Sequence, residues 1–474
     1  MVRVDESTAV SRSRRQPVPQ LASGDPGGIE RPPITRRGFL QALGGAALAT
    51  GAATLVGGCG REAPNLILDR RVRIGWVSPL TGARSADGES DNFNLNGIRE
   101  YFADGLVIDG SRYGVDILVK DSQSNKERAT QVTEDLINYH KVELVLTMGG
   151  GSETVLPVSD ACEKLGVPCL STIGAWNNWV FARDHSLDQP FKWTYHFFWG
   201  HRENVSVFID MWKTQDSNSV VAGLWPDDAG GNEAADPKTG YPSKLIPAGY
   251  KVIDPGRYEN QNNSLTPDFT TVVDKITKAD PRPDILTGNP LAPDFNEIWT
   301  RLHEAKFVPP FVTIARAVQL PRNIEALKPS GDGISTSITW HPTFPFRSSL
   351  TGITTKQLAD DYVERTGRQL TYHNLGLGHA IWEITVDVLR RAGGTGDREA
   401  VVDAMSRTKI DTIAGRVDFT NPDRPHHNVS VLPLLGGQWR ANDGDTRFDL
   451  VIVSNRQLPE IPLMGELQPL RRRF

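Results

Sequence analysis

VELVLTMGGGSETVLPVSDACEKLGVPCLST, residues 142–172, contains one complete strand–loop–helix–strand unit. The apolar run VELVLTM reads as a buried strand, ETVLPVSDACEKLG as a helix and VPCLST as the next strand. Gly149, Gly150, Gly151 and Ser152 stand between the first strand and the helix. Small residues at a helix start suit a loop that wraps an anion. A nucleotide-binding P-loop would need GxxxxGK followed by Ser or Thr, and no lysine stands here.

The same alternation runs outward from this unit. Before it come a strand in VRIGWVSPLTG, a helix in FNLNGIREYFADGL, a strand in YGVDILVKDS and a helix over 126–140. That helix carries Ala129, Val132, Leu136 and Ile137 at three- and four-residue steps. The pattern restarts with a strand at SVVAGLW, a helix at DFTTVVDKITKAD, and then DILTGNP, FNEIWTRLHEAKF and PFVTIA. Alternating strand and helix predicts an α/β fold with parallel sheets covered on both faces. Two such units predict two Rossmann-like lobes. The tail predicts helices over 375–391 and 398–407 and strands over 415–419, 432–436 and 448–454, with NDGD (442–445) as a hairpin turn.

In such sheets ligands lie at the carboxyl ends of strands. The loops at 79–88, 149–154, 172–178, 225–231, 288–293 and 315–318 therefore carry the candidate contacts. These are Asp87, Gly151, Ser152, Glu153, Ile173, Ala175, Trp176, Asp227, Asn289 and Arg316. Trp199 joins them as an apolar wall, with Trp179 and Trp340 as further aromatic candidates.

The first 58 residues read as an address. Residues 1–34 are polar and aperiodic, a pattern that predicts disorder. Arg36 and Arg37 precede a weakly apolar Ala/Gly-rich run, the layout of a twin-arginine export signal. VGGC ends at Cys59, where a lipobox would place the lipidated cysteine, and residues 59–69 read as a linker. Removing residues 1–58 takes away seven arginines and four acids, moving the formal net charge from −5 to −8. That balance excludes a general polyanion binder, so nucleic acid is not an expected partner.

Export signal, lipobox and two strand–helix units together resemble the type I periplasmic binding protein family that includes the leucine/isoleucine/valine binders of bacterial ABC importers. The resemblance covers roughly residues 70–455. It rests on the order of IGWVSPLTG, VKDSQSNKERATQV, GGGSETVLPVSDACEKLGVPCLST, WPDDAGG, DILTGNP and VDFTNPD. It implies two lobes joined by three crossing strands, divided as 70–196 with 341–427 and 197–340 with 428–474. It also implies a small ligand trapped between them, an ABC permease and ATPase as partners, a monomer held to the membrane by its lipid alone, and a periplasmic or cell-surface location. No catalytic residue, cofactor or metal is implied.

In that family the ligand carboxylate is usually held by backbone N–H groups and a serine after the third strand, where Gly151 and Ser152 stand here. Ser152 as a plain helix N-cap is the alternative. Several family contacts differ. An aromatic position falls at Asp87, a threonine at Ala175 and a tyrosine at Gly288, and IARAV offers Arg316 where an acid is expected. Asp87 is then the candidate for an ammonium and Arg316 for a second carboxylate. A ligand-sensing receptor with the same fold and an exported hydrolase stay open as alternative functions.

Other motifs are weaker. His379 and Glu383 lie one helical turn apart, but without a third ligand they read as a core or surface pair. His426 and His427 read as a solvated loop or hinge. Cys162 and Cys169 permit a disulfide in an exported protein, with buried free thiols as the favoured reading.

Overall fold

The computed structural model describes residues 70–261, 264, 266–370, 372–442 and 447–470. The expected export signal, Cys59, its linker and the NDGD turn tip lie outside the described residues. In chain order the strands are β1 (Arg70–Ser78), β2 (Leu106–Ile108), β3 (Ser111–Asp121), β4 (Leu144–Met148), β5 (Cys169–Thr172) and β6 (Thr194–Phe197). They continue with β7 (Val220–Pro226), β8 (Lys251–Ile253), β9 (Arg257–Tyr258), β10 (Ile285–Gly288), β11 (Phe311–Ile314) and β12 (Ser335–Ile338). Last come β13 (Lys409–Thr412), β14 (Gly415–Asp418), β15 (Val429–Ser430), β16 (Leu435–Ala441) and β17 (Phe448–Ser454).

Two large sheets result. The first has the order β15-β6-β5-β4-β1-β3-β2 and is parallel except for β2, which pairs antiparallel with β3. The second has the order β17-β16-β12-β11-β10-β7-β8, with β9 paired to β7; β16 and β17 are its antiparallel strands. The chain passes between the sheets three times: after β6, after β12 and after β15. The α/β fold with two strand–helix lobes stands.

The central strands explain their own positions. β4 is LVLTM, buried at every residue because β1 and β5 flank it and helices cover both faces. The helix Lys126–Asn138 buries Ala129, Val132, Leu136 and Ile137, and Asn125 caps it by accepting the Arg128 N–H. The helix Val155–Leu165 ends at Gly166, whose left-handed φ of 66° suits a residue without a Cβ. Cys162 and Cys169 are free and buried in the cluster beneath that helix.

The long helix Asn374–Arg391 returns to the first sheet, where Trp382 stacks on Trp76 at 5.7 Å. It also explains the His379–Glu383 spacing. Glu383 accepts hydrogen bonds from the Ile413 N–H (2.8 Å) and the Ser349 hydroxyl (2.7 Å) and N–H. His379 Nε2 meets Ser348 Oγ at 2.7 Å. The pair is a buried clasp that holds the 348–353 segment and the β13–β14 hairpin to the helix. Burial pushes the Glu383 carboxyl up to about 7.

Some local expectations shift. The strand expected over 432–436 begins at Leu435; Leu432 and Leu434 are buried outside it. β2 was not anticipated, although its Asp109–Gly110 turn, with both φ positive, is a standard hairpin signal. His426 is not solvated: it is buried, and its Nε2 lies 2.9 Å from the Gln189 carbonyl.

Glu383→Ala strands the buried Ile413 N–H and removes the acceptor of both Ser349 donors, and should cost about 2–4 kcal/mol in urea unfolding. Because the folded carboxyl titrates above its ordinary 4.5, at about 7, the folded state holds the extra proton in that window. The stability gap between wild type and Glu383→Ala should therefore narrow as pH rises through it. An unchanged unfolding midpoint would refute the clasp.

Candidate functional site

β4 ends at Met148 and the chain turns through three left-handed glycines, with φ of 76°, 72° and 48° at Gly149, Gly150 and Gly151. The first two are packed: a Cβ on Gly149 would lie 2.7 Å from the Asp87 Cβ, and one on Gly150 would lie 2.5 Å from Thr154 Oγ1. A Cβ on Gly151 would meet nothing within 4 Å, so this glycine faces open space. Among the described residues no hydrogen bond engages the backbone N–H groups of Gly151 or Ser152. Ser152 does not cap the following helix. It lies in a short 3-10 turn, and its hydroxyl donates to Glu153 Oε1 at 3.2 Å.

Asp87 braces this loop from the side. Its Oδ2 accepts the Gly150 N–H (2.9 Å) and the Arg84 Nε–H (3.0 Å). The Asn374 side chain donates to the Asp87 carbonyl at 2.7 Å. The carboxylate is thus already matched by a guanidinium.

The second sheet answers with Arg316, just past β11. Its backbone is left-handed (φ 55°), and its side chain is 11% exposed. Nη1 donates to Asp228 Oδ2 at 2.8 Å, and Nη2 lies 3.8 Å from Glu153 Oε1 of the facing loop. Burial works against the Arg316 charge, but the Asp228 and Glu153 carboxylates outweigh it and push the guanidinium pKa up. The other Asp228 oxygen caps the helix Ala229–Ala234 through the Gly231 N–H (2.7 Å).

A cavity lies between these loops. Of the residues expected at the site, Gly151, Ser152, Ile173, Ala175, Trp199, Asn289 and Arg316 line it. Four do not. Asp87 holds the loop from behind, and Glu153 turns toward Arg316. Trp176 is buried against Val155 and Trp179, with its indole N–H on Glu203 (3.0 Å). Asp227 is exposed and accepts from Asn232 (3.0 Å); Asp228 is the acid that turns inward. Of the other tryptophans, Trp340 donates to the Ile413 carbonyl and Trp179 to Ser159, both inside the core.

Residues missed at the sequence level also line the cavity, among them Arg84, Asn178, Phe198, His201 and Gln319. His201 had a partial signal: Glu203, three residues after Gly200, accepts the Gly200 N–H (3.0 Å) at the start of the helix His201–Trp212, one half of a capping box. Phe198 stacks on Trp199 at 4.5 Å, and the Trp199 indole N–H donates to Thr339 (3.0 Å), so this wall is held in place. Gly288 cannot carry the family's aromatic residue: φ is 148° and a Cβ would sit 2.3 Å from the Leu224 carbonyl.

No group of three or more His, Cys, Asp or Glu among the described residues could hold a metal ion. Nor, among them, is any helix long and apolar enough to cross a membrane.

The family model described as "Periplasmic binding protein" matches residues 71–438. The chain belongs to the periplasmic binding protein family. In this periplasmic binding protein the cavity lies between the loop ends of the two large sheets. Similar solved structures include the leucine binding protein LivK from Thermotoga maritima, at 18% identity and TM-score 0.61 over 80% of this chain and 98% of that one. LivJ from Streptococcus pneumoniae, in complex with isoleucine, has 14% identity and TM-score 0.58 over 81% and 99%. A solute binding protein of an ABC transporter from Rhodopseudomonas palustris, in complex with 3,4-dihydroxybenzoic acid, has 16% identity and TM-score 0.60 over 81% and 96%. At these identities the likeness is one of fold. No curated protein matches the chain by sequence.

Replacing Arg316 by Met should destabilise the protein by about 3 kcal/mol, because Asp228 and Glu153 lose their shared cation. Adding Asp228→Asn should recover much of that loss in thermal unfolding. A double variant no more stable than the single one would refute the pairing.

Proposed function

We propose that this periplasmic binding protein is the extracytoplasmic substrate-binding lipoprotein of an ABC transporter. It captures a small carboxylate-bearing solute, amino acid-like or aromatic, between two closing lobes. The observation that carries this reading is two kinds of lining in one cavity: Gly151 and Ser152, whose N–H groups are unengaged among the described residues, and the stacked Phe198–Trp199 pair with Ile173. A short loop of N–H donors before the helix Val155–Leu165 suits an anion. An aromatic wall suits an apolar or aromatic body. Two similar solved structures are described as complexes with isoleucine and with 3,4-dihydroxybenzoic acid, both carboxylic acids.

Closure follows from differential affinity. A solute touching Ser152 on one sheet's loop and Asn289 or Arg316 on the other's gains both sets of contacts only when the lobes meet. The lobes divide as 70–196 with 341–427 and 197–340 with 428–474, apart from Phe197 and β15 (Val429–Ser430), which pair within the first sheet. The permease and ATPase subunits are the partners of the closed form, and the protein acts as a monomer. Export uses the twin-arginine signal, and lipid on Cys59 holds the body at the membrane surface.

A thermal-shift panel of amino acids, aromatic acids and their amides should give a rise in melting temperature with a carboxylate-bearing member. Ser152→Ala should weaken that ligand about tenfold in calorimetry while leaving the ligand-free melting temperature in place. Unchanged affinity would remove Ser152 from the site. Stabilisation by amides alone would overturn the carboxylate reading.

A further inference from the structure

The arginines of the cleft are already matched, and one of its lining acceptors is not. Arg84 is held by Asp87, and Arg316 by Asp228. Near Arg316, two of the buried atoms without a hydrogen-bond partner among the described residues are His201 Nδ1, on a residue that lines the cavity, and Glu153 Oε2, on one that stands behind it. Both residues lie beside Arg316, which meets Glu153 at 3.8 Å and acts on the His201 ring through its charge.

The orientation of His201 is fixed by its neighbours. The residue is 2% exposed and opens the helix His201–Trp212 at the cavity wall. Its backbone N–H donates to Asn177 Oδ1 (2.8 Å), and its Nε2–H donates to Asn178 Oδ1 (2.7 Å). With the proton on Nε2, Nδ1 carries the lone pair. Burial, reinforced by the Arg316 charge, pushes the imidazole down to about 3, so the ring is neutral at physiological pH. A neutral acceptor left dry costs about 1–3 kcal/mol, which a donor on a bound solute would recover.

We propose that His201 determines specificity in this cleft. Its Nδ1 accepts a hydrogen bond from a hydroxyl or ammonium group on the bound acid. The site therefore selects hydroxy or amino acids over the same acids lacking a donor. This rests on the cavity being the solute site. A site built to receive a donor discriminates strongly against the analogue without one, because the buried acceptor is then left unpaired.

Calorimetry on the full-length protein with two matched pairs tests it: 4-hydroxybenzoate against benzoate, and L-leucine against 4-methylpentanoate. At least one donor-bearing acid should bind about tenfold or more tightly than its partner. The pair that does so separates a hydroxyl from an ammonium. His201→Gln keeps a donor toward Asn178 but has no acceptor at the Nδ1 position, and it should abolish the preference. His201→Asn places an amide oxygen near that position and should retain part of it. Equal affinities within both pairs, or a preference intact in His201→Gln, would overturn the role of His201 while leaving the binding site standing. If none of the four acids binds the wild type, the carboxylate-solute reading falls, and this inference falls with it.

Discussion

A guanidinium taken out of water must be paired, and the cleft of this protein is arranged around that requirement at Arg316. Its partners come from both sides: Asp228 from its own sheet and Glu153 from the facing loop. Such a buried pair adds little net stability compared with apolar packing, but breaking it strands a charge. It therefore acts as a geometric constraint. Asp228 is held where its second oxygen starts the helix Ala229–Ala234. Glu153 is held where its neighbour Ser152 presents a hydroxyl and an N–H near the cavity.

The facing loop obeys a steric constraint of its own. Gly149 and Gly150 have left-handed backbones pressed against Asp87 and Thr154, positions where a side chain would collide. Gly151 shares the left-handed backbone without the crowding. The loop is thus fixed from behind and free in front, as a platform for a ligand needs to be. With Asp87 and Asp228 occupied by arginines, what the cleft has left to offer is backbone donors, an aromatic wall and neutral or shared acceptors. Selectivity in such a site is set by matching hydrogen bonds and by shape, more than by bulk charge.

Much of the fold was readable from periodicity. Apolar runs bounded by turns located β1, β4, β5, β7, β10 and β11, and three- and four-residue spacing located the helix Lys126–Asn138. β2 was readable in principle from its Asp-Gly turn. The site was legible only as a set of loops. Asp227 and Asp228 are adjacent acids in one loop, and nothing local says which turns inward. The choice is made by Arg316, 88 residues away, and by the helix start that Asp228 caps. Trp176 and Trp199 pose the same problem: Glu203 and the core claim the first, while Thr339 and Phe198 set the second along the cavity.

The sequence by itself determined the alternation of strand and helix, the glycine-rich turn before the helix Val155–Leu165, and the loss of a side chain at Gly288. The first two follow from periodicity and dihedral limits within a few residues, and the third is read directly from the residue type, although the Leu224 carbonyl that excludes a side chain there is a tertiary contact. Tertiary structure alone decided which loop acid pairs with Arg316, that Glu383 closes a buried clasp instead of facing a metal, and that His201, at the cavity wall, keeps a buried ring nitrogen without a hydrogen-bond partner among the described residues. Those outcomes depend on which strand ends meet in space and on how much water is excluded there. Desolvation and pairing between residues distant in the chain leave no periodic trace in it.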